Sequence, residues 1–357
     1  MFNIFSTSDL FALLINLSAN IKYKNMIYRK IGHTNIEASA ITFGAWAIGG
    51  WMWGGADRKE AVEAIKASYF LGVTSIDTAP IYGQGLSEEI IAEALKGIPR
   101  DKVQIFTKFG LRWDLPQGEF YFNTLDNFNH PLAVYKYASK ESVIKECEDC
   151  LKRLQTDFID LFQIHWNDST TPKCETMEAL IRLEEQGKIR AGGVCNYTAD
   201  WVAEANETYT LATVQNPYSM VMKDIEKELV PYAIKHNKSV LAYSPLQRGL
   251  LTGKIKPDHQ FKEEDTRKGN RFYTPENIAL INNFLASIKP VADSKGATIG
   301  QLVIQWTIQQ PGITVALVGA RNATQATENA KAIDVVITPD EMEFINSNIA
   351  ALKLIFP

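Results

Sequence analysis

Residues 72–110 read GVTSIDTAPIYGQGLSEEIIAEALKGIPRDKVQIFTKFG, and their order decides the fold. GVTSID and VQIFTKFG are short, β-rich runs of strand length. SEEIIAEALKG between them reads as a helix. A strand, a helix and a strand in succession imply two parallel strands with the helix laid across them.

The alternation continues in both directions. Upstream, AITFG is a strand and DRKEAVEAIKASYFLG a helix closed by Gly72. Before them, IYRKIG and IEASAI flank a short turn at His33, Thr34 and Asn35, a hairpin pattern. Downstream, DFIDLFQIH, KIRAGGVCN, LATVQN, SVLAYSP and ITVALVGA are strands. The helices among them are KESVIKECEDCLKRLQ, CETMEALIRLEEQG, TADWVAEAN, IEKELVPYAIKHN, TIGQLVIQWTIQQ and ATQATENAKAI. Counted from AITFG there are eight strands, each followed by a helical segment. The prediction is an α/β fold: a closed (β/α)8 TIM barrel with a short N-terminal β-hairpin closing its bottom. A doubly wound open sheet is the rival. It is disfavoured because no strand is followed by G-x-G-x-x-G opening a helix.

The barrel domain spans residues 26–357, and residues 1–25 read as an N-terminal extension. LFALLINLSA there is apolar but too short to span a bilayer. It also lacks the basic flank and small-residue cleavage site of a signal peptide. An upstream start ahead of a true start at Met26 explains it equally well. The expected location is cytoplasmic, with no membrane partner. A formal net charge of -4 and no long basic block exclude a nucleic-acid groove. Four cysteines are too sparse for a disulfide scaffold. Cys147 and Cys150 form C-x-x-C inside an amphipathic helix, so they read as structural, and no metal site is expected. No coiled-coil repeat argues for an oligomer, and a monomer is expected.

Four polar residues stand at or just beyond three strand ends: Asp77 and Tyr82, Lys108, and His165. Each has an ordinary role open to it: Asp77 as a turn cap, Tyr82 as a loop aromatic, Lys108 as a solvated end, His165 as a satisfied core group. Together they make a proton-transfer site. Asp77 would hold Lys108 protonated, and that ammonium would lower the Tyr82 phenol by about 1–3 units. Tyr82 would then protonate a carbonyl oxygen that His165 polarises. A hydride from a nicotinamide would complete such a reaction, although these four residues alone do not require it.

In this order and spacing, GVTSIDTAPIYGQGLSEEIIAEAL, KRLQTDFIDLFQIHW, GKIRAGGVCNY, SPLQRGLLTGK and VGARNATQATENA resemble the aldo-keto reductase superfamily. The similarity is greatest to its bacterial general-stress type, whose N-terminal stretch reads much like FGAWAIGGWMWGG. The resemblance covers nearly the whole chain from Ile27. It implies the eight-stranded barrel, a nicotinamide cofactor without metal, and a catalytic set at Asp77, Tyr82, Lys108 and His165. It implies that Asn196 and Gln215 grip the carboxamide and that Tyr243 stacks on the nicotinamide. Ser244, Pro245, Leu246, Gly249, Leu251, Gly253 and Lys254 would follow the ribose and pyrophosphate, with Arg271 leaning over them. Gly319, Ala320, Arg321, Gln325, Glu328 and Asn329 would hold the adenosine end.

Three positions depart from the family pattern. Gly319 and Gln325 stand where vertebrate-type relatives carry the cations for a 2′-phosphate. Arg321 would replace part of that charge, so the resemblance implies NADPH, with NADH open. Cys195 stands where a serine is usual, which implies a thiol-sensitive site. For the substrate, Trp46, Trp53, Phe109, Trp113 and Trp166 are expected to wall an apolar pocket, under a rim loop or lid over residues 111–137. The implied function is reduction of small aldehydes or ketones to alcohols. A cofactor-sensing barrel with slow turnover and a Schiff-base aldolase using Lys108 are the alternatives.

Overall fold

The computed structural model describes residues 25–356 except 54, 56 and 262–264. Apart from Asn25, the N-terminal extension lies outside the described residues. Strands β1 (Tyr28–Lys30) and β2 (Glu37–Ser39) pair antiparallel as the expected hairpin. Next come β3 (Ile41–Gly44), β4 (Ser75–Asp77) and β5 (Gln104–Phe109). After an insertion of β6 (Leu111–Arg112), β7 (Glu119–Leu125) and β8 (Pro131–Lys136), the series resumes. It continues through β9 (Leu161–Ile164), β10 (Gly192–Cys195), β11 (Thr213–Pro217), β12 (Ser239–Tyr243) and β13 (Ile313–Gly319). Strands β3, β4, β5 and β9 to β13 are parallel and close into the predicted eight-stranded barrel, β13 pairing back onto β3.

The hairpin plugs the end where the barrel strands begin. Ile31, Ile36 and Ala38 are buried against Phe106, Leu161, Leu241 and Val315 inside the barrel. Burying this much apolar surface at about 25 cal/mol per Å² holds the plug. Between its strands, Gly32 has φ +50°, and a Cβ there would lie 2.6 Å from the Ala212 carbonyl oxygen. Only glycine permits that approach. Its amide donates to Ser239 Oγ at 2.8 Å, at the start of β12.

The outer layer is formed by α1 (Arg58–Phe70), α2 (Leu86–Ala94), α3 (Lys140–Leu154), α4 (Lys173–Glu185) and α5 (Ala199–Asn206). It continues with α6 (Leu229–Lys235), α7 (Pro275–Asp293), α8 (Ile299–Ile308), α9 (Ala323–Ala330) and α10 (Pro339–Ala351). The segment read as one helix, IEKELVPYAIKHN, divides into a 3₁₀ turn at Asp224–Glu226 and α6. Pro231 causes the break: its ring excludes the carbonyl four residues back, so it fits only in a first helical turn. Helices α7 and α10 extend the pattern beyond the alternation read from sequence. Each begins at a Thr-Pro pair whose threonine caps the helix. Trp306 Nε1 donates to Asn346 Oδ1 at 2.9 Å and ties α10 to α8.

Residues 111–137 correct the sequence reading. They form a three-stranded antiparallel sheet in the order β6-β8-β7 instead of a loop. The β7–β8 turn is held by Asp126, whose Oδ1 accepts from the amides of Phe128 and His130 at 2.7 and 2.9 Å. Cys147 and Cys150 are free and fully buried on α3, as structural cysteines would be. Among the described residues no cluster of His, Cys, Asp and Glu is able to hold a metal. No helix among them is long and apolar enough to cross a membrane.

Candidate active site

Asp77 ends β4, Lys108 lies near the end of β5, His165 follows β9, and Tyr82 lies in the turn leading to α2. The barrel brings all four together. Lys108 Nζ donates to Asp77 Oδ1 at 2.6 Å and to the Thr78 carbonyl at 2.8 Å. It also lies 5.3 Å from the centre of the Tyr82 ring. The Tyr82 and His165 rings meet edge to face at 5.8 Å. From across the barrel, Gln215 Nε2 donates to Asp77 Oδ2 at 2.7 Å, so both carboxylate oxygens are engaged.

Proton affinities follow from this arrangement. Burial pulls Lys108 down, but Asp77 more than offsets it and the amine is held above its ordinary range as an ammonium. Burial and the Lys108 charge together hold His165 well below its ordinary value, so its imidazole is neutral. Tyr82 departs from expectation. Burial pushes its phenol up to about 12, against the pull of Lys108 and with Asp77 adding to the rise. The ammonium's pull is real, but desolvation outweighs it.

A cleft of about 540 Å³ opens on this group. It is bounded by Asp77, Tyr82, His165, Asn196 and Gln215 at one end and reaches Arg321, Gln325, Glu328 and Asn329 at the other. Tyr243, Ser244, Pro245, Leu246, Gly249, Lys254, Gly319 and Ala320 line it between. Asn196, at φ +59°, links two sides of the site. Its Nδ2 donates to the His165 carbonyl at 2.9 Å, and its Oδ1 accepts from the Tyr243 hydroxyl at 2.9 Å. At the far end, the Arg321 amide donates to Gln325 Oε1 at 3.0 Å, and Asn329 Nδ2 donates to the Gly319 carbonyl at 3.0 Å. Cys195 is buried, which raises its thiol and keeps it protonated.

Several expected residues do not line the cleft. Lys108 stands behind Asp77 and does not line the cleft. Leu251 is core, and Gly253 turns the chain at φ +70° outside the lining. Arg271 stacks 4.5 Å from the Phe356 ring; Arg248 and Arg267 line the cleft. Phe109 packs on Phe162 at 4.6 Å in the core, because Lys108 faces inward and its neighbour in a strand must face out. Trp113 supports a cluster with Trp51, Leu111 and Val134 but does not reach the cleft.

Trp46, Trp53 and Trp166 do line the cleft, joined by Trp51, Met52, Tyr121 and Phe122. Tyr121 and Phe122 are neighbours in β7, and strand alternation alone would point them apart. A register irregularity between Phe120 and Phe122 turns both toward the site. Trp46 stacks on Tyr82 at 6.1 Å, and Trp51 stacks on Phe122 at 6.3 Å. Gly49 lets this tryptophan-rich loop reach Tyr82: a Cβ there would lie 2.6 Å from the Tyr82 carbonyl oxygen.

The profile of the aldo/keto reductase family matches residues 40–350. The chain is 36% identical over 328 residues to aldo-keto reductase YhdN of Bacillus subtilis (strain 168), covering 90% of this chain and 93% of that protein. It is 33% identical over 328 residues to the NADH-specific methylglyoxal reductase of Escherichia coli (strain K12), covering 90% and 98%. The solved structure of glycerol dehydrogenase AKR11B4 from Gluconobacter oxydans superposes with a TM-score of 0.82 at 34% identity, covering 94% of this chain and 99% of that one.

Proposed function

The chain belongs to the aldo/keto reductase family and is an NAD(P)H-dependent oxidoreductase, and on that premise we propose that it reduces the carbonyl of a small uncharged aldehyde or ketone, using NADPH and the proton of Tyr82. The observation that carries this reading is the neutral phenol of Tyr82 beside a buried Asp77–Lys108 ion pair. The phenol keeps its proton through neutral pH and yields it only as negative charge grows on a bound carbonyl oxygen. Lys108 then stabilises the phenolate, and Asp77 keeps Lys108 charged and oriented. Neutral His165 donates a second hydrogen bond to the same oxygen.

The donor set suits a dinucleotide. Gln215 commits its amide nitrogen to Asp77, which leaves its amide oxygen for a carboxamide N–H. Tyr243 offers a ring face to the nicotinamide. Arg321 lines the cleft on the phosphate side with Arg267, which Asp265 orients at 2.6 Å, and with Lys254, which lies 3.9 Å from Glu328. Bound there, NADPH supplies the hydride. Arg321 supports NADPH over NADH, and the relative named as NADH-specific makes the comparison of the two cofactors worth measuring directly.

The substrate end is walled by Trp46, Trp53, Trp166, Tyr121 and Phe122, which favours flat apolar or aromatic aldehydes. A Schiff-base role for Lys108 is opposed by its raised proton affinity, since such a lysine needs a depressed one. The test is titration with NADPH and NADH followed by an aldehyde panel. Tight NADPH binding with aldehyde-dependent oxidation supports the reading. Binding without turnover supports a sensor instead.

A further inference from the structure

Behind the Asp77–Lys108 pair lies a second ion pair, with a buried carboxylate and a half-buried guanidinium, that the proposed mechanism leaves unused. Glu88, in the first turn of α2, is fully buried. One carboxylate oxygen accepts from Arg153 Nε at 2.6 Å, and the other accepts from Thr107 Oγ1 at 2.7 Å. Thr107 immediately precedes Lys108 in β5. Alternation sends Lys108 into the barrel and Thr107 outward to the helix layer.

The neighbouring residues tighten the connection. Ser87 Oγ donates to the Ala45 carbonyl at 2.9 Å and lies 2.8 Å from Thr78 Oγ1. The Thr78 carbonyl is the second acceptor for Lys108. The Ser87 amide donates to the Tyr82 carbonyl at 3.2 Å, so the turn carrying the phenol is tied to the start of α2. Arg153 crosses this turn to reach Glu88. A Cβ on Gly85 would lie 2.6 Å from Arg153 Cδ.

A buried carboxylate carries a large desolvation cost, and well-packed apolar side chains often serve stability as well or better. This carboxylate joins the turn of the proposed acid to the strand of the lysine. We propose that Glu88 is a positioning residue for proton transfer: through Thr107 and Arg153 it fixes the distance over which the Lys108 ammonium acts on the Tyr82 phenol. The inference rests on the reading of Tyr82 as the acid.

The test uses the full chain and the variants Glu88→Gln, Thr107→Val and Tyr82→Phe, with Glu88→Gln also placed in the Tyr82→Phe background. Cofactor affinity, kcat, KM and the solvent deuterium isotope effect on kcat are measured for an aromatic aldehyde. Glu88→Gln is expected to lower kcat by about 10- to 100-fold, the scale of a small misplacement of reacting groups. KM and cofactor affinity stay within about twofold on this account, because binding groups are untouched. The isotope effect rises, and the double variant is no slower than Tyr82→Phe alone. Thr107→Val, which removes only the hydroxyl tie, shows the same pattern and serves if Glu88→Gln does not fold. A wild-type kcat and isotope effect in Thr107→Val or Glu88→Gln, with Tyr82→Phe inactive, overturns the positioning role. So does an equal loss from Glu88→Gln in both backgrounds. A fully active Tyr82→Phe instead overturns the reading of the acid on which the inference stands.

Discussion

Lys108 and Asp77 meet at 2.6 Å with side chains 1% and 5% exposed, and neither charge has water to fall back on. Removing one partner strands the other. Asp77→Asn is therefore expected to cost about 3–5 kcal/mol of stability. The double variant Asp77→Asn/Lys108→Met should lose clearly less than the sum of the two single variants. Denaturant unfolding of all three checks this, and strict additivity would show that the two groups do not act as a pair.

Glu146 makes stability depend on pH. Burial pushes its carboxyl up from 4.5 to about 7, with Arg112 and the Gly110 amide pulling the other way. The folded chain then binds a proton that the unfolded chain releases, so this contribution to stability falls as pH rises from 4.5 to 7. At about 1.4 kcal/mol per unit the whole loss is at most about 3.5 kcal/mol. Glu146→Gln should gain in melting temperature relative to the parent protein as pH rises from about 5 to about 8. A difference that is constant across that range would contradict it.

Phe109 and Tyr121 should separate packing from substrate contact. Phe109→Ala opens the core beside Phe162 and is expected to cost about 3–5 kcal/mol with KM little changed. Tyr121→Ala removes part of the cleft wall beside Trp166 and should raise KM for an aromatic aldehyde. Stability should change little. Steady-state kinetics with thermal melting on both variants decides the matter, and a KM effect confined to Phe109→Ala would reverse the assignment.

Arg267 and Arg271 give a similar contrast for the cofactor. Arg267 lines the cleft and Arg271 packs on Phe356. Arg267→Ala should weaken NADPH binding by about tenfold or more, the scale of one hydrogen bond to a charged group. Arg271→Ala should bind nearly as the parent does. Fluorescence titration of both variants reads this directly.

The barrel was legible because each strand is a compact Val-, Ile- and Phe-rich run with a helical segment behind it. The gathering of Asp77, Tyr82, Lys108 and His165 followed from their places at strand exits. Phe109 was also legible in principle, since strand parity sends it away from whatever Lys108 faces. The rim sheet was harder. Its register irregularity between Phe120 and Phe122 breaks the alternation that identifies a strand face. Two arginines four residues apart, at 267 and 271, carry no pattern that distinguishes cleft from surface. The Tyr82 phenol depended on a balance between burial and the Lys108 charge, and residue identity fixes neither magnitude.

The central claim is that Tyr82 supplies the proton, and single-turnover reduction of an aromatic aldehyde by Tyr82→Phe with saturating NADPH tests it most directly. The account predicts parent-like NADPH binding with the chemical step slowed by about 100- to 10,000-fold, the worth of a positioned general acid. A parent-like single-turnover rate in a variant that still binds NADPH would contradict it.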